Sequence, residues 1–210
     1  NNGNPVPQVE VYDPATQSWS VGASMPVSVS NAAMTVLDGK LYVVGGCDAE
    51  ECGDVGTVEV YDPVTNTWSG AASYPRSVSF EACGTITGKL YCAGGVDGVS
   101  TLTEANVYDP ATNTWSPIAD LPADLFGSAY TAADGQLLVQ DGVTDDALVE
   151  TNQGWAYQPA TNTWTALPNA LTAQLRGGSA LGFFQVGGDP GGGPETTLAT
   201  GELLAGFATP

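Results

Sequence analysis

The sequence predicts an all-β fold built from repeated four-stranded units. Its first sign is a segment that occurs four times and runs from a tyrosine to a tryptophan. It reads YDPATQSW at 12–19, YDPVTNTW at 61–68, YDPATNTW at 108–115 and YQPATNTW at 157–164. The tyrosines lie 49, 47 and 49 residues apart, and a constant period of this size is typical of one supersecondary unit repeated along the chain.

A second sign is a glycine doublet that precedes each later tyrosine at a nearly constant distance. The doublets are Gly45-Gly46 and Gly94-Gly95, with Asp141-Gly142 at the third position. A last doublet, Gly187-Gly188, has no tyrosine after it. Glycine at the end of a strand lets the backbone bend and lets another backbone approach closely. Each doublet therefore predicts the end of a strand.

The third sign is the turn chemistry inside each unit. Asp38-Gly39 and Thr87-Gly88 lie between short apolar runs, which predicts two-residue hairpin turns. Residues 41–44 then form a second strand, residues 58–61 alternate as a half-buried third strand, and residues 67–69 begin a fourth after the turn cluster at 62–66.

Together, the doublet, the tyrosine and the later tryptophan make the chain resemble the kelch-repeat family. The resemblance implies a β-propeller of four-stranded blades in one domain over residues 1–210, with full repeats at about 27–75, 76–122 and 123–172. Residues 173–204 and 9–26 are then expected to join as a composite fourth blade. A fragment of a larger ring, or two copies that complete each other, are the alternatives. Three features depart from the family pattern: Asp141, Gln158 and the lack of a tyrosine and a tryptophan after Gly188.

The charge balance restricts the partners. The chain has 4 Lys+Arg against 23 Asp+Glu, a net charge of −19, and no histidine. Nucleic acid and anionic membrane are excluded as partners because binding them requires cationic side chains that neutralise phosphates. Cationic partners or metal ions are compatible with this charge.

The lack of histidine also restricts catalysis. It excludes nucleophiles paired with histidine and metal centres that histidine ligates. A glycosidase that uses two carboxyl groups alone remains as an enzyme alternative. The recurring Tyr, Asp, Asn and Trp residues are interpreted as turn and packing residues, since identical residues in every repeat suit a shared structural task.

Four cysteines, Cys47, Cys52, Cys83 and Cys92, predict two disulfides. Counting outward from Thr87-Gly88 places Cys83 directly opposite Cys92, at a distance that suits a bridge. Cys47 and Cys52 share one loop, so a local bridge is expected there. An even set of cysteines that pair in this way predicts a secreted protein. A zinc site is the competing interpretation.

Candidate binding residues are expected on loops that differ between repeats, because rigid scaffolds present binding loops. In a propeller, the loops between second and third strands share a face with the connections between blades; we call this the loop face. The ligand-binding candidates on it are Arg76, Phe80, Glu81, Asp124, Phe126 and Arg176. Weak metal candidates are Asp48, Asp145, Asp146 and Asp189. No cofactor is expected, apart from a possible calcium ion.

The sequence therefore predicts a non-catalytic extracellular module that binds a protein or a carbohydrate through its loop face. Two alternatives remain open. One is a glycan hydrolase that uses carboxyl groups alone, and the other is a structural unit that self-associates through its terminal strands.

Overall fold

The computed structural model describes residues 5–48, 53–144, 149–180, 183–190, 198 and 201–204. The secondary structure of this part of the chain is β-strand and turn, without helix. No helix there is long and apolar enough to cross a membrane. The first two strands, β1 (Glu10–Asp13) and β2 (Ser18–Val21), form an antiparallel hairpin.

Four blades follow the hairpin. The first contains β3 (Ala33–Leu37), β4 (Lys40–Val44), β5 (Val58–Asp62) and β6 (Thr67–Gly70). The second contains β7 (Ala82–Ile86), β8 (Lys89–Ala93), β9 (Ala105–Asp109) and β10 (Thr114–Pro117). The third contains β11 (Ala129–Ala133) and β12 (Gln136–Gln140), a short ribbon of β13 (Val143–Thr144) and β14 (Val149–Glu150), then β15 (Gly154–Gln158) and β16 (Thr163–Ala166). The fourth contains β17 (Gly178–Ala180), β18 (Phe184–Val186) and β19 (Gly201–Leu203).

Each blade is an antiparallel sheet whose strands pair in sequence order, apart from the ribbon. The first strands of successive blades pack together, β3 on β7, β7 on β11 and β11 on β17. The predicted all-β propeller of four-stranded blades is confirmed. The ribbon β13–β14 replaces part of the loop expected after Gly142.

The closure of the last blade differs from the prediction. Instead of β1, the described strand that pairs with the outer side of β18 is β19, and β1 pairs with β2. Residues 9–26 and 173–204 therefore do not share a sheet in the described part of the chain. A strand close in sequence competes well for the edge of β18, because closing a short loop costs less entropy than closing a long one.

The repeated tyrosine, asparagine and tryptophan join neighbouring blades. Asn113 Oδ1 accepts hydrogen bonds from the Tyr108 hydroxyl and from the Ala72 N–H of the preceding blade, both at 2.8 Å. The Trp115 indole N–H donates to the Ala72 carbonyl at 2.8 Å. The same set recurs with Tyr61, Asn66, Trp68 and Ala23, and with Tyr157, Asn162, Trp164 and Ala119. The packing role predicted for these residues is confirmed, and Ala23 anchors the β1–β2 hairpin to the first blade.

The predicted hairpin register in the second blade is also confirmed. Thr87 and Gly88 have φ angles of 47° and 76°. A two-residue hairpin turn of type I′ requires such positive φ angles at both central residues. Cys83 lies opposite Cys92, and the two form a disulfide with their Cα atoms 4.2 Å apart. Both cysteines are buried in the apolar cluster between the first and second blades.

Candidate functional site

One residue of each blade stands in the left-handed backbone region where the chain enters the first strand on the loop face. These residues are Asn31, Phe80, Gly127 and Arg176, with φ angles of 57°, 59°, 66° and 59°. Backbone hydrogen bonds link them around the channel mouth: Phe80 N–H to Asn31 O, Gly127 N–H to Phe80 O, and Arg176 N–H to Gly127 O. Their donor–acceptor distances are 2.8, 3.1 and 2.7 Å. The blades are thereby held in register at this end of the channel.

Three of the predicted site residues, Phe80, Phe126 and Arg176, lie in contact on the loop face. The rings of Phe80 and Phe126 lie edge to face with centroids 5.8 Å apart. The Arg176 guanidinium lies 4.9 Å from the Phe80 ring centroid, within the range of an attractive cation–π contact. Both phenylalanines are half-buried and Arg176 is exposed. We call Phe80, Phe126 and Arg176 the aromatic–arginine patch.

Arg76, the other predicted arginine, forms ion pairs with acidic residues. Its guanidinium contacts the Asp97 carboxylate at 3.2 Å and also pairs with Glu104. Arg76 is exposed, so these ion pairs contribute little to stability. The structure therefore places Arg76 in an ion-pair cluster on the rim of the loop face. Asp124 is half-buried on the same face.

Glu81 lies in the interior instead of on the accessible face. It is 1% exposed, and neither carboxyl oxygen has a hydrogen-bond partner among the described residues. Its carboxyl group packs beside Gly45 of the first blade, and its Cβ atom packs beside Gly95 of the second. Burial raises the pKa of Glu81 to about 8, and the nearby Asp54 carboxylate adds to the effect.

The raised pKa of Glu81 predicts a pH-dependent stability. Below the unfolded-state pKa, near 4.3, the group is protonated in both states and costs nothing. Between that pKa and about 8 the unfolded state loses its proton first, so the contribution of Glu81 makes the fold less stable as pH rises. We expect Glu81→Gln to remove this dependence. Thermal melting of both proteins should be measured from about pH 5 to pH 8. The melting temperature of the variant should rise relative to that of the parent as pH rises.

A melting difference between the parent and Glu81→Gln that stays constant across this range would contradict the assignment. The comparison with the parent matters because other carboxyl groups titrate in the opposite sense. Asp62 and Asp109, for example, have lowered pKa values because each accepts a hydrogen bond from a lysine, Lys40 or Lys89. These groups are present in both proteins, so their contributions cancel.

The acidic loop candidates are dispersed. Asp48 is exposed and Asp189 is half-buried, and Asp189 exchanges backbone hydrogen bonds with Leu175. Asp145, Asp146 and Cys52 lie outside the described residues. Cys47 is disulfide-bonded. Within the described ranges, no group of three or more acidic or cysteine side chains is placed to hold a metal ion.

The central channel is bordered by all four first strands. A cavity of about 410 Å³ lies elsewhere, between the third and fourth blades, whereas the channel cavity measures about 360 Å³. Residues of each first strand line the channel, among them Met34, Gly84, Tyr130 and Gly178. The Tyr130 hydroxyl accepts a hydrogen bond from the Met34 N–H at 3.3 Å, across the channel. The channel is therefore narrow at its centre.

Sequence reasoning missed two features of the site. Asn31 shares the left-handed position with Phe80 and Arg176, and an alignment of the repeats on their doublets would have found it. A buried polar set, formed by Gln140, Asp141, Gln174 and Gln185, was also missed. The replacement of a doublet glycine by Asp141 was its visible sign.

The blades, the glycine doublets and the shared hydrogen bonds between neighbouring blades define the protein as a β-propeller of repeated four-stranded units. The Kelch motif family model matches residues 1–26, 28–73 and 82–122, together more than half of the 210 residues. The chain belongs to the kelch-repeat family.

Curated relatives match over short stretches of 40 to 50 residues. Kelch-like protein 15 of Danio rerio and that of Homo sapiens are each 48% identical over 40 residues, which is 19% of this chain and 7% of theirs. An F-box/kelch-repeat protein of Arabidopsis thaliana is 48% identical over 50 residues, 24% of this chain and 13% of its own. The chain thus matches a small fraction of the length of these relatives.

A solved structure supports the fold over most of the chain. The structure of YjhT aligns with a TM-score of 0.80 at 16% identity and covers 92% of this chain and 71% of that one. At this identity the likeness shows the fold alone. Kelch domains generally mediate protein–protein interaction, and the chain falls in that general class of module.

Proposed function

We propose that the chain is a non-catalytic binding module that holds a protein partner through the aromatic–arginine patch of its loop face. One observation carries the proposal. Phe80 and Arg176 occupy a left-handed position that Gly127 fills in the third blade. A side chain there costs on the order of 1 kcal/mol, and strained positions of this kind cluster at active sites and ligand clamps.

The chemistry of the patch narrows the partner. Arg176 offers guanidinium N–H groups to a carboxylate, while the edges of Phe80 and Phe126 offer apolar contact beside it. Arginine and aromatic side chains are also enriched among residues that dominate binding energy. A peptide segment with an acidic group next to an apolar side chain fits these features. The net charge of −19 around it favours a partner that is basic elsewhere.

A binding screen tests the proposal. The chain would be immobilised and exposed to a displayed random-peptide library and, separately, to a glycan array. We expect peptide ligands whose affinity falls about tenfold in Arg176→Ala and in Phe126→Ala. Lys40→Ala is the matched control, because Lys40 is a cation in an ion pair with Asp62 beside a hairpin turn at the opposite end of the blades. It should bind as the parent does.

The outcomes separate the alternatives. Glycan ligands with the same dependence on Phe126 would assign the patch to carbohydrate, since aromatic rings also pack on sugar faces. Ligands that bind both patch variants as well as the parent would remove the patch from consideration. A melting temperature that stays unchanged in each variant would show that lost binding does not reflect lost folding.

A role as a hydrolase has less support from the geometry. Two carboxyl groups would have to face one cleft across the bond to be cleaved. The carboxyl groups whose pKa values burial raises furthest, Glu81 and Asp141, lie at different seams, one between the first two blades and one between the last two. We therefore place the function in binding.

We also propose that the protein works in an oxidising compartment, as a secreted protein. The Cys83–Cys92 disulfide within a regular hairpin supports this location, because such bridges persist where thiols are not kept reduced. Non-reducing peptide mapping of the protein from its native source should recover the bridged pair. Recovery of both cysteines as free thiols would contradict the location.

A further inference from the structure

The seam between the third and fourth blades carries polar side chains where the other seams carry apolar ones or glycine. The β-ladder registers and the doublets define the equivalent positions. Gln140 corresponds to Val44 and Ala93, Asp141 to Gly45 and Gly94, Gln174 to Val78 and Leu125, and Gln185 to Val43 and Cys92. All four replacements lie at one seam. They therefore indicate a local site, because general sequence divergence would be spread over all the repeats.

These four side chains are buried, with exposed fractions of 3%, 1%, 2% and 4% in chain order. Gln185 Nε2 donates to Asp141 Oδ2, and Gln140 Nε2 donates to the Asn152 carbonyl at 2.8 Å. Three acceptors have no hydrogen-bond partner in the described part of the chain: Gln140 Oε1, Asp141 Oδ1 and Gln174 Oε1. Buried acceptors without donors are costly, so the seam has unused capacity for a donor.

A cavity of about 410 Å³ adjoins this polar set. Its walls combine Gln140, Gln185 and Glu202 with apolar residues, among them Leu171, Phe183 and Leu204. At the preceding seams a tyrosine–tryptophan pair packs against the neighbouring blade, as Tyr157 and Trp164 do with ring centroids 5.1 Å apart. No tyrosine or tryptophan follows Gly188, so this pair has no counterpart in the last seam.

We propose that this cavity binds an organic cation, namely a primary ammonium group carried on an apolar stem. Gln140 Oε1 and the Glu202 carboxyl group, both on the cavity wall, suit the ammonium head, and the leucine and phenylalanine walls suit the stem. The Asp141 carboxyl group lies directly behind the wall, where it accepts a hydrogen bond from Gln185, and adds negative charge at the same end of the cavity. No described cation of the chain itself reaches this seam. Lys40, Arg76 and Lys89 pair with acids elsewhere, and Arg176 lies over Phe80.

The pKa of Asp141 predicts how binding of a cation at this seam should depend on pH. Burial raises its pKa to about 6, against the opposing effect of hydrogen bonding, which is largest for Gln185 and smaller for the Gln174 and Gln140 side chains. Glu202 is the other titratable group that faces it, and its carboxylate raises the pKa further. A bound ammonium group would favour the ionised form of Asp141. Binding should therefore weaken as Asp141 becomes protonated.

Titration of the whole chain with n-butylammonium chloride tests the proposal, with two-dimensional ¹H–¹⁵N NMR as the readout. At about pH 7.5, saturable shifts are expected for the side-chain amides of Gln140 and Gln185, and the affinity should fall about tenfold near pH 5. Asp141→Asn should bind about tenfold more weakly or worse. Asp120→Asn, the same change at an exposed position on another connection, should bind as the parent does.

A second variant keeps the test decisive if Asp141→Asn folds poorly. Asp141→Gly combined with Gln174→Leu recreates the Gly94 and Leu125 pair of the preceding seam, so it should fold and lose the ligand. Three results would overturn the proposal: no saturable shift at this seam, undiminished binding in either variant, or preferential binding of Ca²⁺, which would assign the acceptors to a metal. The loop-face screen uses other residues, so the two proposals can fail independently.

Discussion

Trp115→Ala is expected to lower the free energy of unfolding by about 3 kcal/mol, a large loss for one side chain. The indole N–H donates to the Ala72 carbonyl of the preceding blade at 2.8 Å. Its ring also packs on Tyr74 and Tyr108, with centroids 4.9 and 5.2 Å away. Truncation therefore opens a void at a seam and leaves a carbonyl without its donor. Urea denaturation followed by circular dichroism would measure the change.

Trp19→Ala is the matched control for this experiment. Trp19 holds the same repeat position but is 68% exposed on the β1–β2 hairpin, where it packs on Tyr12 with ring centroids 5.2 Å apart. Its loss should cost no more than about 1 kcal/mol. Equal losses for both tryptophans would show that the seam hydrogen bond and its packing are not what stabilises the blades.

Gly94→Ala is expected to be more damaging, at about 4 kcal/mol or more. Gly94 has a φ angle of 69°, and an added Cβ would lie 2.3 Å from the Leu125 carbonyl oxygen of the next blade. That carbonyl accepts the Gly95 N–H at 2.8 Å, so any backbone movement that relieves the clash also weakens a hydrogen bond between blades. We expect poor expression or early melting in a thermal scan.

Gly88→Ala separates the steric effect from the backbone effect. Gly88 has a similar φ angle of 76°, but an added Cβ would meet nothing within 4 Å. Only the left-handed strain remains, at about 1 kcal/mol. If the two variants melted at the same temperature, the close approach of blades at the doublet would not be the reason for glycine at position 94.

The candidate site was predicted in part. Sequence variation among matched repeats selected Phe80, Phe126 and Arg176, and the structure brings these three together. Glu81 was chosen by the same reasoning and lies in the interior. Phe80 and Glu81 are adjacent in sequence, yet one faces the channel mouth and the other faces a seam. A left-handed residue turns the chain at this point, and neighbouring side chains then leave in directions that loop position alone does not specify.

The sequence by itself determined the features that depend on local interactions. Turn pairs such as Thr87-Gly88 set the hairpin register, and that register set the Cys83–Cys92 pairing. The repeat period set the number and order of the full blades. The turn and the disulfide depend on residues that lie close together in the chain, and the period follows from the recurrence of one motif along it, so neither needs the tertiary arrangement to be recognised.

The tertiary structure decided what depends on competition between distant segments. β19 rather than β1 took the outer edge of β18, because either strand could satisfy that edge and only the assembled chain selects between them. The buried polar seam has the same origin. Gln140 and Asp141 are adjacent, and Gln174 and Gln185 come from two other places in the sequence; each alone reads as a minor departure from its repeat. The packing of the third blade against the fourth brings these four side chains together, and they are buried there as one polar cluster.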